Sequence, residues 1–300
     1  MTRKIDVKLL GALLGVALIW GTTYLGIRVA VETIPPWFVA AIRQSIASLI
    51  LFAILLQRKE LAWKGWPHLK RQIILSTLMV VVANGMTTVA EQTVPSGLTS
   101  LLNAMNPLFI FVASVVIGME RASVKGIVGL LFGFAGVAFI FRDGVAGLFD
   151  PNYQVGILFI GIALMGWTAG TIYVKKNHHK SENIFLDLFY QFAFSAVVQF
   201  ILAFIFSSST DTSGWSMRSF SAVAYLAIFG SVIAFFCYHY ALKKVAPTEV
   251  SILSYFNTVI ALFLGWLILD ERITIDIVIA TALIILGVVI LNYKKGKPAS

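Results

Sequence analysis

Apolar residues fill this chain in ten long stretches separated by short polar breaks. They run from Leu9 to Val31, Pro36 to Leu56, Gln72 to Ala90, Gly97 to Ile117 and Val124 to Phe141, then from Gln154 to Val174, Ile184 to Phe206, Phe220 to Leu242, Val250 to Leu269 and Thr274 to Leu291. Each is near the ~17 to 25 residues that a membrane-spanning helix needs. Alternating strands of ~10 residues, the sign of a barrel, are absent. The pattern predicts an all-α polytopic membrane protein with ten transmembrane helices and no water-soluble domain. The first stretch follows Met1-Thr-Arg-Lys4, but it is longer than the apolar region of a signal peptide and has no convincing small-residue cleavage site, so it reads as helix 1.

Composition agrees, with 59% hydrophobic residues, 12% charged residues and a mean hydropathy of +0.89. Placement of Lys and Arg adds an orientation. With the N-terminus inside, eighteen fall in cytoplasmic segments, among them Arg58, Lys59, Lys64, Lys70, Arg71, Lys175 and Lys176. Only Arg142, Arg218 and Arg272 fall outside. This positive-inside bias puts both termini in the cytoplasm. It also accounts for the net charge of +9 without nucleic acid, because the excess is spread over six patches and forms no basic face with interleaved aromatics.

Shifting the chain by 151 residues lays Gly118-Met-Glu-Arg121 on Leu269-Asp-Glu-Arg272 and pairs Asn106 with Asn257 and Ser100 with Ser251. A slightly different shift pairs Trp20 with Trp167 and Arg28 with Lys175. The chain therefore reads as a duplication, residues 1–147 and 148–300, integrated into one membrane domain. Five helices per half is odd, so the halves enter the membrane from opposite sides and the repeats are inverted. Such repeats recur in transporters, where two similar halves can exchange conformations around a central site.

Leu18-Ile-Trp-Gly-Thr22 in helix 1, Ala41-Ile-Arg-Gln44 in helix 2, Asn106-Pro107 in helix 4 and the Glu-Arg turns after helices 4 and 9 resemble, in order and spacing, the EamA-type drug/metabolite transporter superfamily. The resemblance covers residues 8–292. It implies an exporter of amino acids, purines, related metabolites or toxic compounds in a bacterial cytoplasmic (inner) membrane. Helix 9 departs from it, carrying Asn257-Thr258 where many second halves have proline, so the two half-sites are expected to be unequal.

Pro107 removes a backbone hydrogen bond and clashes with the Asn103 carbonyl, so helix 4 should break there and face protein or a wet cavity. Asn103, Asn106 and Asn257 can meet near the midplane as substrate contacts, or as hydrogen bonds that hold the halves together. Arg43 lies inside helix 2 and needs a partner: Glu91 or Glu32 in an outer gate, or a substrate carboxylate. Trp20, Tyr24, Trp167 and Tyr190 are expected to wall the same region. Trp37, Trp215 and Trp266 read as interface anchors. Gly21 and Pro107 are candidate hinges. Gly11/Gly15, Gly129/Gly133 and Gly166/Gly170 have the spacing of close helix packing, leaving monomer and homodimer both open.

All fourteen Asp and Glu fall in loops or within about a turn of a helix boundary. Deep proton coupling through a carboxylate is therefore not expected: His239, the only histidine inside an expected span, is the candidate proton carrier, and the alternatives are facilitated diffusion, exchange, or protonation of Glu91 or Glu32 at the outer edge. Enzyme motifs are missing, and the chain has one cysteine, Cys237. His178-His179 has no acidic or Cys partner nearby, so neither a metal nor another cofactor is expected. A small-molecule substrate and the lipid bilayer are the implied partners, and an enzyme or a channel the less favoured classes.

Overall fold

The computed structural model describes residues 6–119, 121–141, 151–177, 183–207, 209–245, 247–251 and 253–292. Met1 to Lys4, Glu120, Arg142, His178 and His179, used above, lie outside the described residues. Within them, ordered secondary structure is helical, with no strand. Helix 1 spans Val7–Ala30, helix 2 Pro36–Arg58, helix 3 Trp66–Ala90, helix 4 Ser96–Val116 and helix 5 Val124–Phe141. Helix 6 spans Pro151–Asn177, helix 7 Ile184–Phe206, helix 8 Met217–Lys244, helix 9 Leu253–Leu269 after the short turn Pro247–Ser251, and helix 10 Ile275–Asn292. Seven of these are long and apolar enough to cross a bilayer, and helices 5, 9 and 10 supply three shorter apolar segments.

Local chemistry sets the helix ends. The Asp6 carboxylate accepts from Leu9 N, Asn183 Oδ1 from Phe185 N and Leu186 N, and Ser216 Oγ from Ser219 N, each filling donors that a helix start leaves free. Helices 2 and 3 start with proline in the first turn, where its missing N–H costs nothing. Helix 3 begins at Trp66, six residues before the expected Gln72, after Gly65 at φ 83°. Its extra first turn is amphipathic, which conceals it in a hydropathy reading, and it brings His68 into a helix where sequence placed only His239.

Neighbour relations repeat when helix n is exchanged for helix n+5. Helix 2 packs on helix 7 and helix 5 on helix 10; helix 1 packs on helices 9 and 8, as helix 6 packs on helices 4 and 3. Lipid tails supply no hydrophobic drive for helix association, so close packing must hold such contacts. A Cβ at Gly287 would meet Gly129 O at 2.5 Å, one at Gly166 would meet Leu78 O at 2.8 Å, and one at Gly133 would meet Leu108. Gly11 faces open space beside exposed Leu10 and Leu14. Gly21, the candidate hinge, lies at the helix 1 to helix 9 contact: a Cβ there would fall 2.7 Å from Ile260 Cβ.

Two boundary expectations change. Trp37 is buried against Gly85 rather than anchored at an interface, whereas Trp266 is half-exposed and Trp215 packs on Phe38 and Phe220. Acidic residues near helix ends are not all solvated: Glu91 is fully buried, and Asp187, one turn into helix 7, accepts from Gln72 Nε2 at 2.9 Å and lies 3.4 Å from His68 Nε2.

Candidate functional site

Helix 4 is interrupted between Asn103 and Asn106, as the proline requires, and its first segment is buried on every side. Helix 9 runs unbroken past Asn257. Helices 3 and 8 each widen into π-type turns, at Ser76–Asn84 and Leu226–Ile233, segments that start 150 residues apart and so occupy equivalent places in the two halves. Wide turns of this kind rotate the residues that follow and recur at functional sites.

Arg43 joins the two wide turns. From helix 2 its Nε donates to Ser231 Oγ at 2.8 Å and its Nη1 to Asn84 Oδ1 at 3.2 Å. Ser231 Oγ in turn donates to Gln44 Oε1 at 3.2 Å. The guanidinium is almost completely buried, at 2% exposure. No described carboxylate lies within ion-pair distance of it, and Glu32 is bound instead to Arg218, at 3.5 Å. A buried guanidinium with two neutral partners and unused donors remains competent to bind an anion.

Arg43 and Asn84 border a cavity of about 110 Å³ lined by residues of helices 1, 2, 3, 4, 6, 8 and 9 and of the short turn before helix 9. That is several-fold above the ~10 to 15 Å³ that admits one water. Trp20, Tyr24, Arg43, Asn103, Asn106, Trp167 and Asn257 all line it. Asn106 Oδ1 has no protein partner, whereas Asn103 Nδ2 donates to Thr99 O at 3.0 Å. Oriented to satisfy its neighbours, the Asn257 amide donates to Ala17 O at 2.7 Å and Leu253 O at 3.0 Å, tying helix 9 to helix 1.

Trp20 and its repeat partner Trp167 touch edge to face, centroids 5.1 Å apart. Phe235 and Tyr238 complete the box, and Trp20 Nε1 donates to Gly230 O at 3.1 Å within the widened turn of helix 8. Two aromatic rings that pair with each other's counterpart must lie near the axis relating the halves, where a central site belongs.

Tyr190 is not part of this wall. Its hydroxyl donates to Ala62 O at 3.2 Å and its ring meets His68 edge-on, at the lysine-rich end of the bundle. Only a helical phase shift separates a cavity-facing from a loop-facing position, and hydropathy does not resolve it. His239 is buried beside Phe235 and Tyr238, with Nε2 lacking a hydrogen-bond partner, and does not line the cavity. Sequence reasoning missed Asn84, Thr87, Tyr238, Ser251 and Ser254. Ser251 alone carried a signal, as the repeat partner of Ser100.

At the opposite end from the lysines, the Glu271 carboxylate accepts from Ser96 N and Ser96 Oγ at 2.8 Å each and from Gly97 N at 3.0 Å. The Glu-Arg turn of the second half thus has a physical meaning: it caps the N-terminus of helix 4, placing negative charge at the positive end of its dipole.

A polytopic helix bundle around a buried, aromatic-walled cavity is the architecture of a membrane transporter. A model of the EamA-like transporter family matches the chain twice, at residues 8–142 and 154–293. The chain belongs to the EamA-like transporter family; it is a transporter and not an enzyme. It is 32% identical over 292 residues to the uncharacterized inner membrane transporter YedA of Escherichia coli K12, covering 96% of this chain and 91% of that one. It is 30% identical over 283 residues to the uncharacterized transporter YoaV of Bacillus subtilis 168, covering 94% and 96%. A solved crystal structure shares the fold at TM-score 0.69 and 21% identity, covering 94% of this chain and 95% of the other.

Proposed function

We propose that the protein exports a small amphipathic metabolite, an amino acid, across the bacterial inner membrane by alternating access, with both termini in the cytoplasm. The observation that carries this reading is Arg43, a buried cation bordering the central cavity whose observed side-chain partners, Ser231 and Asn84, are neutral. A planar guanidinium fork takes a carboxylate in two parallel hydrogen bonds. Asn106 Oδ1, without a partner, suits a substrate N–H, and the box of Trp20, Trp167, Phe235 and Tyr238 suits an apolar side chain. The two halves, 1–147 and 148–300, rock about the Trp20–Trp167 contact to expose the cavity to either side. The break at Pro107 lets helix 4 bend. The same aromatic box favours a flat purine or a cationic compound as the second reading.

Counterflow in proteoliposomes separates these readings. A labelled panel of amino acids, purines and small cationic compounds is offered to wild type and to Arg43→Ala. Saturable amino-acid exchange that falls at least tenfold in the variant, with purines and cations inactive, is the expected result. Exchange of purines or cations that survives Arg43→Ala overturns the carboxylate assignment.

A further inference from the structure

Between the central cavity and a second pocket at the end away from the lysines lies a seal. The outer pocket is bordered by Arg28, Glu32, Gln92 and Glu271, and the inner one by Tyr24, Ile27 and Thr87. Glu91 borders neither. It sits one helical turn beyond Thr87 on helix 3, with no exposed surface, and neither Oε1 nor Oε2 has a hydrogen-bond partner. The two nearby cations are engaged elsewhere. Arg28 Nη1 donates to the Glu91 and Gln92 carbonyls, and Arg43 donates to Ser231 and Asn84.

Glu271 makes the contrast. It faces the same seal from the turn after helix 9 and has three donors, two of them backbone N–H groups. Glu91 has none. Of these two carboxyls, Glu91 is the one suited to hold a proton, because an ionised carboxylate in a dry site needs hydrogen bonds or a close cation. The charged and titratable groups that act electrostatically on Glu91 come from helix 1 (Tyr24 and Arg28), helix 2 (Arg43) and the far half (Glu271). Helix 6 packs Gly156 against Val94, Thr93 and the Ala90 carbonyl and brings Tyr153 near the same apolar cluster.

We propose that Glu91 is the proton-binding group of the transport cycle, closing the outer seal when its carboxyl is protonated and holding the seal open when it is ionised and hydrated. Closing the seal takes up one proton, which joins Glu91 Oε with no other bond made or broken, and reopening it to the outside returns the proton. Acidic medium outside therefore drives the carrier toward the sealed conformation seen here, and external pH sets the balance between its sealed and open states. This rests on the orientation proposed above and not on the substrate assignment.

The test needs no substrate. In a Cys237→Ser background, Ile27→Cys places a thiol just below the seal, where Ile27 is buried at 3% exposure and borders the central cavity. A membrane-impermeant maleimide is added outside right-side-out vesicles from external pH 5.5 to 7.5, and labelling rates are corrected for the thiolate fraction with an exposed reference cysteine at Ser213, in the loop before helix 8. The corrected rate should rise about tenfold across this range with Glu91 present. With Glu91→Gln, a mimic of the protonated acid, it should stay low and flat, while Glu91→Asp should keep a pH dependence. An equal dependence in Glu91→Gln, or a flat profile in the parent, overturns the proposal. Thr87→Cys repeats the measurement independently of Ile27. Because labelling is read without transport, a wrong substrate class fails in counterflow and leaves this result standing.

Discussion

Replacing Glu271 with alanine removes the cap of helix 4 from a distance of 175 residues in sequence. Three donors lose their acceptor: Ser96 N and Ser96 Oγ at 2.8 Å and Gly97 N at 3.0 Å. A hydrogen bond to a charged group contributes roughly 1.5 to 3 kcal/mol, and charge at a helix N-terminus adds about 0.3 to 1 kcal/mol. Glu271 also borders the outer pocket, so water can replace part of what is lost. The working expectation is a loss of about 3 kcal/mol for Glu271→Ala, and about 1 kcal/mol for Glu271→Gln, which keeps one carbonyl acceptor. The assay is reversible unfolding in mixed detergent and SDS micelles, followed by tryptophan fluorescence. Gly265 supplies an internal control. A Cβ there would fall 2.4 Å from Glu271 Oε2, so Gly265→Ala should displace the same carboxylate. The double variant should then cost clearly less than the sum of the two singles. A loss below about 0.5 kcal/mol for Glu271→Ala, or strict additivity with Gly265→Ala, refutes the cap as an energetic element.

Gly287→Val should part helices 5 and 10, because even a Cβ would meet Gly129 O at 2.5 Å; about 2 to 3 kcal/mol of stability is expected to be lost in the same unfolding assay, and less from Gly11→Val, which faces open space. Asp187→Ala leaves Gln72 Nε2 without its acceptor in a buried site and removes the carboxylate beside His68, so it should cost about 3 kcal/mol, whereas Asp187→Asn should cost about a third of that and restore most of the folded yield on size-exclusion chromatography.

The apolar stretches and the break at Pro107 were legible along the chain, because a bilayer imposes length and composition on each helix separately. Seven of the eight residues expected around a substrate border the cavity, and they were found by two local signals: polar or aromatic residues inside an apolar run, and their recurrence after about 150 residues. Tyr190 carried the same signal and lies elsewhere, since its helix turns that position toward Ala62. What no single stretch encodes is which helices meet. The wide turns of helices 3 and 8 contain no proline and no distinctive pattern, yet they aim Asn84 and Ser231 at Arg43. Glu91 and Glu271 look alike in sequence, two acids at helix ends. Only packing decides that Glu271 meets the open N–H groups of helix 4 while Glu91 is closed into a seal without donors, because hydrogen bonding of a carboxylate depends on which backbone comes within about 3 Å of it.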